Sequence, residues 1–219
     1  MENNHESAPL LRTKLRRPPV RPELIARPRL QQQVSSGLNL ALTLIIAPAG
    51  FGKTTLAASS LAQNQSQSAW LSLDKNDNQP GYFLRYLIAA LRTLDADIGA
   101  EAEQYLESVQ QTLPEAVLAS LINDIENNPE EIVLALDDYQ LITSQFVHDG
   151  VAFLLEHQPH NLHLLIAARS DPPLPVARLR ASGQLVELRA ADLRFTRTEA
   201  LEFLNDVMGL QLDEKSAEV

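Results

Sequence analysis

The octet Ala47-Pro-Ala-Gly-Phe-Gly-Lys-Thr54 has residue types and spacing suited to holding phosphate. It fits the P-loop pattern, with Ala47 where the first glycine usually stands. Such a loop needs backbone N–H groups that converge on an anion. Gly50 and Gly52 can adopt the φ > 0 conformations this requires, while Pro48, Ala49 and Phe51 fill the other positions. A helix opening near Lys53 would add its positive N-terminal end. Lys53 would then reach the β- and γ-phosphates. Thr54 would set its hydroxyl on Mg²⁺, and Thr55 would offer its N–H on the α-phosphate side. The bland alternative is a glycine turn between a strand and a helix.

A second candidate follows the apolar run Glu131–Leu136, which ends in Asp137-Asp138. A carboxylate at the C-terminal end of a buried strand can hold Mg²⁺ opposite Thr54, and Asp137 takes that role. Asp138 is then available to orient or deprotonate an attacking water. The alternative is a strand end capped by two solvated acids. Arg169 ends the apolar run Leu162–Ala168. There it would face a γ-phosphate and neutralise developing charge, or pair with a neighbouring acid.

These groups need strands and helices to hold them. Leu40–Ile46 is apolar throughout and reads as a strand buried on both faces, with a helix running on through Leu56–Leu61. Further strands are expected at Ala69–Asp74, Glu131–Leu136, Leu162–Ala168 and Gln184–Leu188. Helices are expected at Pro28–Val34, Gly81–Leu94, Ala100–Leu113, Pro114–Asn127, Phe146–His157 and Val176–Ala181. Thr196 and Glu199 make a capping box for a last helix reaching about Met208. The strand bearing Asp137 is expected beside the P-loop strand, since both must reach one Mg²⁺. Trp70 reads as core. Asp74 and Asp77 lie where open α/β sheets bind ligands, but they suit an N-cap equally well. His157, His160 and His163 recur every third residue, but Pro159 and Asn161 keep them off one helical face.

The chain has 219 residues, a net charge of −10 and no cysteine. The acidity argues against nucleic-acid binding by the chain as a whole. The missing thiols exclude disulfides and Cys-ligated zinc. No apolar run is long enough for a signal peptide or a membrane span, so a cytoplasmic location is expected. Residues 10–30 are basic and rich in proline, which blocks a long helix. They form either a nucleic-acid arm or, preferably, an arm lying over the acidic body. Arg27 could also approach a nucleotide.

The chain resembles the nucleotide-binding part of the MalT-like, ATP-dependent LuxR-family regulators, which belong to the STAND class of P-loop NTPases. The stretches that carry the likeness are TKLRRPPVRPELIARPRL, LTLIIAPAGFGKTTL, AWLSLDKNDNQPGYFLRYLIAAL, LALDDYQLI, ARSDPPLPVARLRASGQLVELRAADLRF and TRTEALEFLN. The resemblance implies a switch that holds ADP when inactive. It exchanges ADP for ATP, self-associates, and contacts DNA only through a C-terminal domain absent from this sequence. It further implies that Lys53, Thr54 and Thr55 bind phosphate and Mg²⁺. Asp137 would be the metal ligand, Asp138 the hydrolytic acid, Arg169 the sensor arginine, and Arg27 a neighbour of the adenine. The implied fold is an α/β P-loop three-layer sandwich with a mainly parallel sheet of about five strands, followed by the start of a helical domain. The expected divisions are a basic arm at 1–30, the NTPase domain at 31–190 and a helical beginning at 191–219 that reads as truncated. The competing readings are a nucleotide-binding scaffold without turnover and another kind of P-loop ATPase.

Overall fold

The computed structural model describes residues 9–20, 25–64, 66–108, 114–207 and 209–210. Five strands form one parallel sheet: β1 (Leu42–Ile46), β2 (Gln67–Ser72), β3 (Ile132–Asp137), β4 (Leu162–Ala168) and β5 (Leu185–Arg189). Their order is β2-β3-β4-β1-β5. The three central strands, LTLII, IVLALD and LHLLIAA, are buried at every residue. Continuous apolar runs are what a parallel strand covered on both faces requires. The edge strands are only part-buried, and they carry the polar residues Gln67, Ser68, Glu187 and Arg189.

Side-chain alternation sorts the core into two layers. One face of the sheet carries Leu42, Leu44, Leu134, Leu136, Leu164 and Ile166. It packs against α3 (Pro80–Leu91), α4 (Ala100–Ser108), α5 (Pro114–Glu126) and α6 (Gln145–Glu156). The other face carries Ile45, Trp70, Val133, Ala135 and Leu165. It is covered by α1 (Pro28–Gly37) and α2 (Lys53–Gln63). Trp70 is buried there, with its indole N–H on Ser72 Oγ at 2.9 Å.

One expectation is overturned. The P-loop strand β1 and the acid-bearing strand β3 are not neighbours, because β4 lies between them. What the site needs is strand ends at one level rather than adjacent strands. Ile46 pairs with Ala168, and Leu136 with Ile166, so the ends of β1, β4 and β3 form a row. α2 packs over β4, and its first turn spans the gap of about 10 Å between next-nearest strands. The intervening strand therefore delivers Arg169 between the other two motifs.

The end of the chain also differs from expectation. Thr196 and Glu199 do form the capping box, but α8 covers only Arg197–Glu202 before a π-helical turn at Phe203–Val207. Met208 and residues 211–219 lie outside the described residues, as do 109–113 at the expected end of α4. α7 (Val176–Ala181) matches its expected span.

Among the described residues of the basic arm, Leu11, Lys14 and Arg17 bond to the body of the domain. Lys14 Nζ donates to both carboxylate oxygens of Asp77 at 2.8 and 2.6 Å, and to Asp74 Oδ2 at 3.1 Å. It also sits 4.0 Å from the Tyr86 ring centre. Asp74 caps the short 3-10 turn Lys75–Asn78 in a reciprocal box with Asp77. Burial alone would raise the Asp74 carboxyl, but the Asn76 N–H and Lys14 hold it below its ordinary value. Both acids are thus committed to holding the arm.

Candidate functional site

The loop from β1 to α2 has the conformation its sequence asks for. Gly50 and Gly52 have φ of +85° and +76°, in the left-handed region that side-chain-bearing residues avoid. A Cβ on either would meet open space, so backbone conformation rather than crowding makes glycine the favoured residue here. Ala47 is buried under the loop, while Pro48, Ala49, Gly50 and Gly52 are exposed around it. Phe51 packs on the α1/α2 layer. Gly52 is the N-cap of α2, so Lys53, Thr54 and Thr55 form its first turn.

Lys53 is buried, and its ammonium donates to the Pro48 carbonyl at 3.0 Å. Burial and the facing Arg169 lower its pKa, while Asp138 and Asp137 pull it partly back. Thr54 Oγ1 lies 3.0 and 2.9 Å from the two oxygens of Asp137, and Asp137 is 4% exposed. Burial raises the Asp137 carboxyl. The Thr54 hydroxyl and Lys53 oppose that rise, and Asp138 adds to it. No cation touches this carboxylate among the described residues. A hydroxyl and an underneutralised buried carboxylate are hard oxygen donors, and they fit Mg²⁺.

Asp138 follows at φ 57° and ψ 36°, the one non-glycine residue with positive φ among those described. Its Oδ1 accepts from Gln140 Nε2 at 2.7 Å. Gln140 Oε1 in turn accepts from the Arg169 backbone N–H at 3.1 Å. The Arg169 side chain is exposed beyond the end of β4. The sequence reading missed Gln140, because an uncharged residue two places past an acid matches no pattern. Behind it, Tyr139 is buried with its hydroxyl 3.1 Å from His148 Nδ1.

A cavity of about 950 Å³ opens beside the loop, lined by Gly50, Gly52, Thr55, Leu56, Arg27 and Phe195 among others. Arg27 Nη2 donates to the Arg194 carbonyl at 2.9 Å and pairs with Glu199 at 3.3 Å. Its guanidinium carbon is 4.9 Å from the centre of the Phe195 ring. The cavity thus shares Gly50, Gly52 and Thr55 with the loop and the first turn of α2.

No family model matches the chain. Curated relatives do. The transcriptional regulator MalT of Serratia proteamaculans is 39% identical over 196 residues, 90% of this chain and 22% of the relative. MalT of Yersinia enterocolitica is 38% identical over 205 residues, 94% of this chain and 23% of the relative. The chain is homologous to the MalT regulators. It spans about a fifth of the length of these MalT proteins. Among solved structures, a STAND protein with a tetratricopeptide repeat sensor from Pyrococcus horikoshii superposes with a TM-score of 0.66 at 16% identity. It covers 92% of this chain and 28% of the other. A Walker-type ATPase of Pyrococcus abyssi gives 0.54 at 18%, covering 92% and 64%. These likenesses establish the P-loop fold of this MalT homologue.

The remaining sequence candidates fall elsewhere. His157 ends α6 with its ring 4.4 Å from Phe153, His160 is exposed, and His163 is buried in β4. No cluster of His, Cys, Asp or Glu suited to a metal occurs among the described residues. No helix among them is long and apolar enough to cross a membrane.

Proposed function

We propose that this chain is the nucleotide-binding switch of an ATP-dependent transcriptional regulator, and that it binds ADP or ATP with Mg²⁺ and hydrolyses ATP slowly. The observation that carries the proposal is the Thr54–Asp137 contact beside a glycine loop and a buried lysine with one acceptor. In this reading Gly50, Gly52 and the start of α2 wrap the phosphates with backbone N–H groups. Lys53 leaves the Pro48 carbonyl for the β- and γ-phosphates. Thr54 and Asp137 hold Mg²⁺, which when bound neutralises charge on the phosphates. Asp138 orients the attacking water and accepts its proton, and Arg169 meets the γ-phosphate. Arg27 and Phe195 lie along the base.

We assign the nucleotide-binding domain to 31–190, the basic arm to 1–30 and the start of a helical domain to 191–219. Self-association of the ATP-bound intact protein, DNA contact through another domain and a cytoplasmic location are the remaining parts of the proposal. They rest on the likeness to transcriptional regulators. The test is steady-state ATP hydrolysis by the wild type and by Asp138→Asn. Turnover that falls at least about a hundredfold in the variant, at unchanged ADP affinity, supports catalysis. Equal rates would count against catalysis by Asp138, and nucleotide binding with no turnover in the wild type would favour a scaffold.

A further inference from the structure

Gln140 makes two contacts that belong to different parts of the site. Its amide N–H donates to Asp138 Oδ1, and its amide oxygen accepts from the Arg169 backbone N–H. A carboxylate can only accept and a peptide N–H can only donate, so one amide orientation satisfies both and the flipped one satisfies neither. The bridge is thus fixed by chemistry as well as distance. Asp138 sits where an N-cap would, before the 3-10 turn Tyr139–Leu141. Its side chain makes no capping bond to that turn. It turns instead to Gln140, the one side-chain donor to its carboxylate among the described residues. The left-handed backbone at Asp138 is a conformation L residues rarely hold unaided. Gln140 thus ties a strained acid just after β3 to the backbone of the residue that follows β4.

We propose that Gln140 is a positioning residue that couples the γ-phosphate contact of Arg169 to the orientation of the Asp138 carboxylate. The proposal rests on the roles assigned above to those two residues. Arg169 carries its guanidinium and the bonded N–H on one residue, so a shift of the backbone at the end of β4 that carries the guanidinium onto phosphate moves the N–H with it. The planar amide passes that displacement to Oδ1. Asp138 is then aligned for water only when the third phosphate is present. Gln140 itself touches neither phosphate nor water.

The test uses Gln140→Met, which keeps length without hydrogen bonding, and Gln140→Glu, which keeps shape and the acceptor for Arg169 but cannot donate to Asp138. Thermal melts within about 2 °C of the wild type establish that both fold. Single-turnover ATP hydrolysis is expected to slow at least about tenfold in both, with Mg-ADP affinity within about twofold. Wild-type rates in both variants, or rescue by Glu alone, would overturn the proposal. A parallel loss of ADP affinity would also overturn it, since that marks a merely structural role.

A second readout is independent of turnover. The preference for Mg-ATP over Mg-ADP is measured by calorimetry in Gln140→Met, Arg169→Ala and the double variant. Each single change is expected to lower that preference, and the double variant to fall no further than Arg169→Ala. Multiplying effects, or none from Gln140→Met, would overturn the coupling. If the wild type has no turnover, the hydrolysis reading fails by itself, and the coupling is judged on this cycle.

Discussion

Two lysines are buried among the described residues, and each faces a pair of aspartates at or beyond the C-terminal end of a strand. Lys14 and Lys53 are 8% and 9% exposed. Lys14 meets Asp77 and Asp74 directly, packs on the Tyr86 ring, and has its charge matched by two carboxylates. Lys53 faces Asp137 and Asp138 without touching either. It donates to one carbonyl and is opposed by Arg169. In composition the two sites are nearly the same, but their satisfaction differs. A closed ion pair holds an arm in place. An open arrangement of two cations, two acids and a glycine loop has a ligand's work left to do.

The largest expected effect lies on the closed side. Lys14→Ala leaves Asp77, which is fully buried, without its cation. Urea unfolding should show a loss of about 3–5 kcal/mol, with nucleotide affinity per folded molecule unchanged. A loss below about 1 kcal/mol would erase the distinction between the sites.

A third buried base, His163, extends the comparison to pH. Its Nδ1 lies 2.6 Å from the Leu40 carbonyl, its Nε2 has no hydrogen-bond partner among the described residues, and burial pushes its pKa down to about 4. The folded imidazole stays neutral while the unfolded one takes up a proton below about 6.5. The unfolded state then binds more protons, so stability falls as pH drops from about 6.5 to 4, by about 3 kcal/mol. Denaturation at several pH values should show this slope, and His163→Gln should flatten it.

Smaller effects belong to the open side. Phe195→Ala removes the ring stacked on Phe203 and beside Arg27. It should weaken nucleotide binding by about two- to tenfold in a calorimetric titration, in line with the value of an aromatic contact. Lys53→Ala should change unfolding free energy by less than about 1 kcal/mol, because the desolvated ammonium gives up one carbonyl contact and a repulsion. Losing as much stability as Lys14→Ala would make Lys53 structural.

The central strands were legible because each is an apolar run that parallel burial demands. The phosphate loop was legible because glycine, lysine and threonine occur at fixed spacing. Strand order was not legible. Periodicity describes each element's own faces, and the assumption that two motifs must share a strand pair failed when β4 came between them. Asp74 and Asp77 matched a site in sequence as well as a cap. Only the approach of Lys14, more than fifty residues earlier in the chain, tells the two apart. Gln140 was invisible for the opposite reason, since its role lies in two hydrogen bonds to distant backbone and side chain rather than in its type.

The most direct test is calorimetric titration of the wild type and Lys53→Ala with Mg-ADP and Mg-ATP. Micromolar or tighter binding that Lys53→Ala weakens at least tenfold, about 1.4 kcal/mol, is the expected result. Equal affinity in the two proteins, both folded, would contradict the account.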